Sequence, residues 1–215
     1  MMNDKPEEQS DGLEARGGTD RRVRADAQRS IDALLQAALA VFATSGVDAP
    51  VREIAEKAGV GIGTLYRHFP QRADLIAAVF RHEMDACADA AAILAAEYDP
   101  GEALARWMQR YVSFVATKHG LAAALHSGDP TFAPLPTYFD QRLRPALHGL
   151  LDAAVAAGEV RDNVDADELL SAVANLCRLA DDGDTTRARR MVALLVDGLR
   201  YGASRSANTP SDATR

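Results

Sequence analysis

A chain of 215 residues, 47% apolar and only 6% aromatic, can bury a sizeable core, and its many alanines and near lack of period-two alternation argue against a β protein and for an all-α one. Its two cysteines, Cys87 and Cys177, lack metal-ligand spacing and read as reduced helix thiols, and no uninterrupted apolar run exceeds seven residues, far below the ~20 that a membrane helix needs. The net charge of −7 is uneven: two bases against six acids over residues 1–20, nine against six over 21–82 and thirteen against nineteen over 83–215, so positive charge is confined to one segment.

The first twenty residues, MMNDKPEEQSDGLEARGGTD, are polar and acidic and lack the apolar core of a signal peptide. Residues 1–24 therefore read as a disordered tail with a basic end, on a protein expected in the cytoplasm. Arg21, Arg22 and Arg24 can reach along a groove of nucleic acid or form an ordinary solvated basic stretch. From about Asp26 an amphipathic helix is expected, with Ile31, Leu34, Leu35, Ala38, Val41 and Phe42 on its inward face.

The segment from Pro50 to Phe69 is the most informative. Val51, Ile54, Ala55 and Ala58 form one apolar stripe, while Arg52, Glu53, Glu56 and Lys57 face water or phosphate. Gly59 supplies a positive φ to end this helix, Val60 plugs the core, and Gly61 turns the chain into a second short helix. There Ile62, Leu65 and Phe69 are expected inward, which leaves Gly63, Thr64 and Arg67 outward with Tyr66 and His68 on the flanks. This pattern is that of a helix-turn-helix, so duplex DNA is the expected partner. Gly63 lets backbone approach a groove wall, Thr64 can donate to phosphate or touch a thymine methyl, and Arg67 can reach guanine or phosphate.

Through GVGIGTLYRHF followed by PQRADLI, residues 26 to 83 resemble the TetR family of transcriptional regulators. The resemblance implies a helix-turn-helix domain over 25–82, a helical regulatory and dimerisation domain over 83–203 and a disordered tail over 204–215. It further implies that Tyr66 and His68 contact backbone phosphates, that Thr64 and its neighbours meet bases or phosphates, and that Arg72 holds a phosphate where the family often has lysine. The chain departs from the family at Gly61, where serine or threonine commonly caps the recognition helix, at a cost of about 0.5 kcal/mol or less. It also has a connection before the first motif helix, Asp48-Ala49-Pro50, one residue shorter than usual, with Pro50 suited to a first helical position.

Beyond the motif, a helix is expected from Gln71 or Arg72 to near Ala96, stopped by Asp99-Pro100-Gly101. Further helices are expected over 102–118, 121–126, 135–157, 167–180 and 185–201, separated by glycine, proline and aspartate clusters. In the last two, Leu169, Leu170, Val173, Leu176 and Leu179 form one stripe, and Met191, Leu194, Leu195, Leu199 and Tyr201 another. Alone, such stripes read as intramolecular core; the resemblance makes them the interface of a two-fold homodimer whose two heads read a palindrome. Between head and stripes, Trp107, Tyr111, Phe114, His119, His126, Phe132, Tyr138 and Phe139 gather half of the chain's phenylalanine, tryptophan and tyrosine side chains together with two histidines. Singly each reads as core; together they suit the walls of a small-molecule pocket. The expected effector is apolar or aromatic and acts by moving the helix that begins at Arg72.

An enzyme is not expected: His119 and His126 are seven apart, with Asp129 and Asp140 nearby, but no metalloprotease, P-loop or nucleophile-elbow motif completes a site, and no cofactor is implied. The overall expectation is a repressor released from operator DNA by a small molecule. The alternative is a DNA-binding regulator that answers to a protein partner, or an activator.

Overall fold

A computed structural model describes the backbone of residues 11–178 and 185–206, and the side chains of 27–178 and 185–201. Among these residues the fold is entirely helical: α1 (Asp11–Ser45), α2 (Val51–Ala58), α3 (Ile62–His68), α4 (Arg72–Glu97), α5 (Pro100–Gly120), α6 (Ala122–Leu125), a single 3-10 turn (Pro130–Phe132), α7 (Leu135–Ala156), α8 (Ala166–Arg178) and α9 (Thr186–Ser206).

The first helix departs from expectation. It begins at Asp11, so its backbone extends over 11–24, which composition reads as disordered tail; residues 1–10 lie outside the described residues. Once the helix is nucleated on its buried face, each added residue gains a hydrogen bond without a new nucleation cost, and no proline interrupts the run. The side chains of Arg21, Arg22 and Arg24 lie outside the described ones. At the other end α9 runs to Ser206, past the expected start of the tail at 204, and 207–215 lie outside the described residues.

The inward face of α1 is as its pattern demands: Leu34, Ala38, Val41 and Phe42 are buried, against α2 and α4. Ile54 and Ala55 of α2 meet it. Gly59 has φ +69°, Val60 donates to the Ala55 carbonyl at 3.0 Å, and Gly59 donates to Glu56 at 3.1 Å, so the helix end is closed through a left-handed glycine. Pro50 sits one residue before the helix instead of inside it.

The Asp99-Pro100-Gly101 break separates α4 from α5, with Pro100 now the first residue of α5. Gly101 fits closely there: its N–H donates to Glu159 Oε2 at 2.8 Å, and a Cβ would displace that carboxylate, meeting Oε2 at 2.5 Å and the Glu159 Cβ at 3.2 Å. Glu159, between α7 and α8, thus places an acidic group on the N-terminus of α5. Helices α4, α5 and α7 pack on one another, and α8 and α9 close the far side of α5. Trp107 lies in the middle of this core, fully buried, its indole N–H donating to the Cys87 carbonyl at 2.9 Å. Burial pushes the Cys87 thiol up to about 12, so it is an inert core side chain. No described helix is long and apolar enough to cross a membrane.

Candidate DNA-binding face and effector cavity

Helix α3 is fixed by two inward residues. Leu65 is 1% exposed, and Phe69, whose N–H donates to the Leu65 carbonyl at 2.8 Å, is likewise buried. Ile62 corrects the third assignment: it is 39% exposed. As the first residue of a seven-residue helix it precedes the turn that carries Leu65 inward, so helical spacing alone overstates its burial. Gly61, Gly63, Tyr66 and Arg67 are exposed, and Thr64 and His68 half-buried. Gly61 adopts an ordinary extended φ of −68°, and a Cβ at Gly61 or Gly63 would meet no atom within 4 Å. Internal packing therefore asks for neither glycine, and the bare backbone they leave faces outward, toward whatever α3 contacts. Arg52 of α2 is exposed as well.

Arg72 has a local task. Its Nη1 donates to the Val47 carbonyl at 2.5 Å, tying the start of α4 to the turn between α1 and α2. One turn on, the Asp74 carboxylate accepts from the Gln71 N–H at 2.9 Å and caps α4. The Arg72 guanidinium is thus engaged in an internal contact that positions the head.

A second feature lies among α5, α7 and α8: a cavity of about 510 Å3. Of the residues expected to line a pocket, Tyr111, Phe114, His119, His126, Phe132 and Phe139 do. Trp107 does not; it stacks on Tyr111 at 5.6 Å, one ring behind the wall. Tyr138 does not either, because successive helical residues point about 100° apart, and it faces α4 while Phe139 faces the cavity. Phe114 is the hub of the aromatic wall, 5.4 Å from Phe80, 5.8 Å from Tyr111 and 6.2 Å from Phe139.

The polar part of the wall was not anticipated. Asp140 and Arg144 pair at 2.8 Å, Arg144 also reaches Asp167, and Lys118 and Arg178 line the cavity from α5 and α8. The i,i+4 spacing of Asp140 and Arg144 is a visible signal of the first pair; the approach of Asp167 depends on how α8 crosses α7. His119 and His126 do not share a helix, since α5 ends at Gly120 and His126 follows α6. His126 Nδ1 lies 2.8 Å from the Ala122 carbonyl, and Asp129 accepts from the Thr131 N–H at 2.8 Å, a hydrogen bond that holds its carboxyl below the usual range. These groups are engaged in local turns.

The two stripes expected at a dimer interface divide between the core of the protomer and its surface. Leu169, Leu170, Val173 and Leu199 are buried within the protomer, and Leu176 and Leu195 pack partly against the same core. Within the protomer α8 and α9 pack on α5 and on each other, and α8 also packs on α7. Met191 and Leu194 remain exposed, as does Tyr201, while Leu179 lies outside the described residues.

A short helix-turn-helix with its second helix presented outward, set on a larger helical body, is the architecture of a DNA-binding regulator. Residues 34–79 match the family model described as bacterial regulatory proteins of the tetR family, and residues 99–201 match the C-terminal domain of SbtR-like transcriptional regulators. The structure resembles that of a TetR transcriptional regulator from Streptomyces coelicolor, with 38% identity over 79% of this chain and 98% of that one and a TM-score of 0.70. It also resembles a TetR transcription regulatory protein from Mycobacterium vanbaalenii, with 36% identity over 83% and 99% of the two chains and a TM-score of 0.67. A comparison with curated proteins found no match. The chain belongs to the TetR family of transcriptional regulators.

Proposed function

We propose that the protein is a homodimeric, sequence-specific repressor whose hold on its operator is weakened by a small molecule bound in the cavity among α5, α7 and α8. The observation that carries the DNA half is the outward face of α3, where Gly63, Tyr66 and Arg67 stand exposed on a helix pinned by Leu65 and Phe69. A small-molecule effector is favoured over a protein signal by the cavity itself, since about 510 Å3 with aromatic walls is the size and lining of a ligand site. A cytoplasmic location follows from the operator as partner.

The first turns of α7 supply a route between the two regions. Phe139 and Leu135 face the cavity. On the other side, the Tyr138 hydroxyl donates to the Asp85 carboxylate of α4 at 2.7 and 2.8 Å, and Arg142 donates to Asp85 and to Asp89, both at 2.6 Å. The Arg81 guanidinium lies 5.7 Å from the centre of the Tyr138 ring. Burial, then the bond to Asp85, raises the Tyr138 hydroxyl above the usual phenol range, so it is a donor throughout the physiological window. A ligand that pushes Phe139 outward must move Tyr138 with it, and Tyr138 holds the helix that begins at Arg72 beside the recognition helix. For release, the ligand must bind the DNA-incompetent arrangement more tightly, because equal affinity shifts nothing.

Selection of bound duplexes from a random pool by the full chain tests the reading; enrichment of an inverted repeat is expected, and a pool with no enriched sequence would overturn it. Compounds that raise the thermal midpoint should also release the selected operator. Compounds that raise it while leaving operator affinity unchanged would remove the effector half. Tyr138→Phe is expected to cost about 1 kcal/mol of stability in urea unfolding, the usual worth of a half-exposed hydrogen bond. It should also leave ligand affinity intact while reducing the ligand-induced loss of operator affinity by several-fold; undiminished coupling would exclude this route.

A further inference from the structure

The charges on the cavity wall point to a chemical class of ligand. Helix α8 lines the cavity along one face, from Asp167 through Ser171 and Ala174 to Arg178. At 1.5 Å per residue, those eleven steps set Asp167 and Arg178 about 16 Å apart along the helix axis. The two ends differ in chemistry. At the Asp167 end, Arg144 is compensated by Asp140 and by Asp167 Oδ2. Asp167 Oδ1 is buried there and has no hydrogen-bond partner among the described residues. The Asp167 carboxylate as a whole is 45% exposed, so this end of the cavity is polar but already compensated.

At the other end stand Lys118 and Arg178, with His119 between them in the sense that burial first, and then both cations, hold its imidazole below the ordinary value. Neither Lys118 nor Arg178 has an ion pair among the described residues. This is a local positive patch on a segment, 83–215, that carries thirteen bases against nineteen acids. Each cation lies in the last turn of its helix, where it also complements the helix dipole, and that purely structural role is the competing explanation. Phe114, Phe132 and Phe139 supply the apolar wall.

We propose, resting on the reading of this cavity as the effector site, that its ligand is an elongated organic acid, with its carboxylate at Lys118 and Arg178 and its apolar body against the phenylalanines. Paired cationic donors suit a carboxylate, and the apolar wall between excludes a ligand that is polar throughout.

The test is calorimetric titration of the full chain with dodecanoate, dodecanol and dodecylamine, each below its micelle threshold. Dodecanoate is expected to bind at least about tenfold more tightly than the alcohol or the amine, which corresponds to 1.4 kcal/mol. The Lys118→Ala, Arg178→Ala double variant, altered only at exposed positions, should lose the preference for the acid and keep its affinity for dodecanol. Equal binding of acid, alcohol and amine, or an acid preference that survives in the double variant, overturns the carboxylate assignment. Absence of binding by all three overturns the elongated acid altogether. None of these results touches operator release, so failure of the ligand class and failure of the effector reading are separately visible.

Discussion

Leu194→Glu is expected to convert the protein to a monomer and to weaken operator binding by about 100-fold or more, equivalent to about 2.8 kcal/mol at 1.4 kcal/mol per tenfold. Leu194 is 63% exposed and Tyr201 75%, and Met191 is exposed on the same helix. With Gly198 they recur at intervals of three, four and three residues, the spacing of a helix seam, and Gly198 leaves room for a second helix to approach. A two-fold interface presents each residue to its own copy or that copy's neighbour, so one substitution introduces two carboxylates into the contact. Desolvating unpaired charge there opposes association, while the folded protomer, in which Leu194 touches mostly water, keeps its thermal midpoint. The loss in DNA affinity follows because a single short recognition helix engages one half-site. Sedimentation and mobility-shift titration check both effects. A variant that remains dimeric at micromolar concentration would show that α9 is not the seam.

The contrast between Leu194 and Leu199 explains which parts were legible from the residues. Breakers and caps mark helix ends directly: Gly59 ends α2, Asp99-Pro100-Gly101 divides α4 from α5, and the expected helices over 102–118 and 135–157 appear as α5 and α7 within two residues at each end. Periodicity identifies that a face is covered but not what covers it. Leu169, Val173 and Leu199 have the pattern of an interface, yet α5 and α7 cover them within one chain; Met191 and Leu194, in the same stripe, are left outside. The cavity was partly legible for the same reason. Aromatic residues clustered in sequence on α5 and α7 do line it, whereas Asp167 and Arg178 enter from α8, and their approach depends on a helix crossing that local sequence does not encode. Trp107 and Tyr138 belong to the cluster by sequence but face the core and α4.

Arg67→Ala separates the two ways in which the exposed face of α3 can use its cation. As a base reader, Arg67 makes a bidentate contact to guanine, and its loss should cost about 1–3 kcal/mol on the selected operator while relaxing the preference at one position of each half-site. As a phosphate clamp, it should weaken every duplex alike and lower the slope of log affinity against log salt by about one unit per head. Specificity readout is the stronger expectation, because Gly61 and Gly63 leave the backbone of α3 bare at its start and allow the helix to sit deep enough for a long side chain to reach a base edge. Filling that space makes a matched control: Gly63→Leu meets no atom of the protomer within 4 Å of its Cβ, so the fold should tolerate it. If the helix lies in the groove, the added side chain holds it away and Arg67 becomes nearly silent in the double variant. If the Arg67→Ala effect is instead the same with glycine or leucine at 63, α3 does not enter the groove at that point, and the cation acts from outside on the backbone.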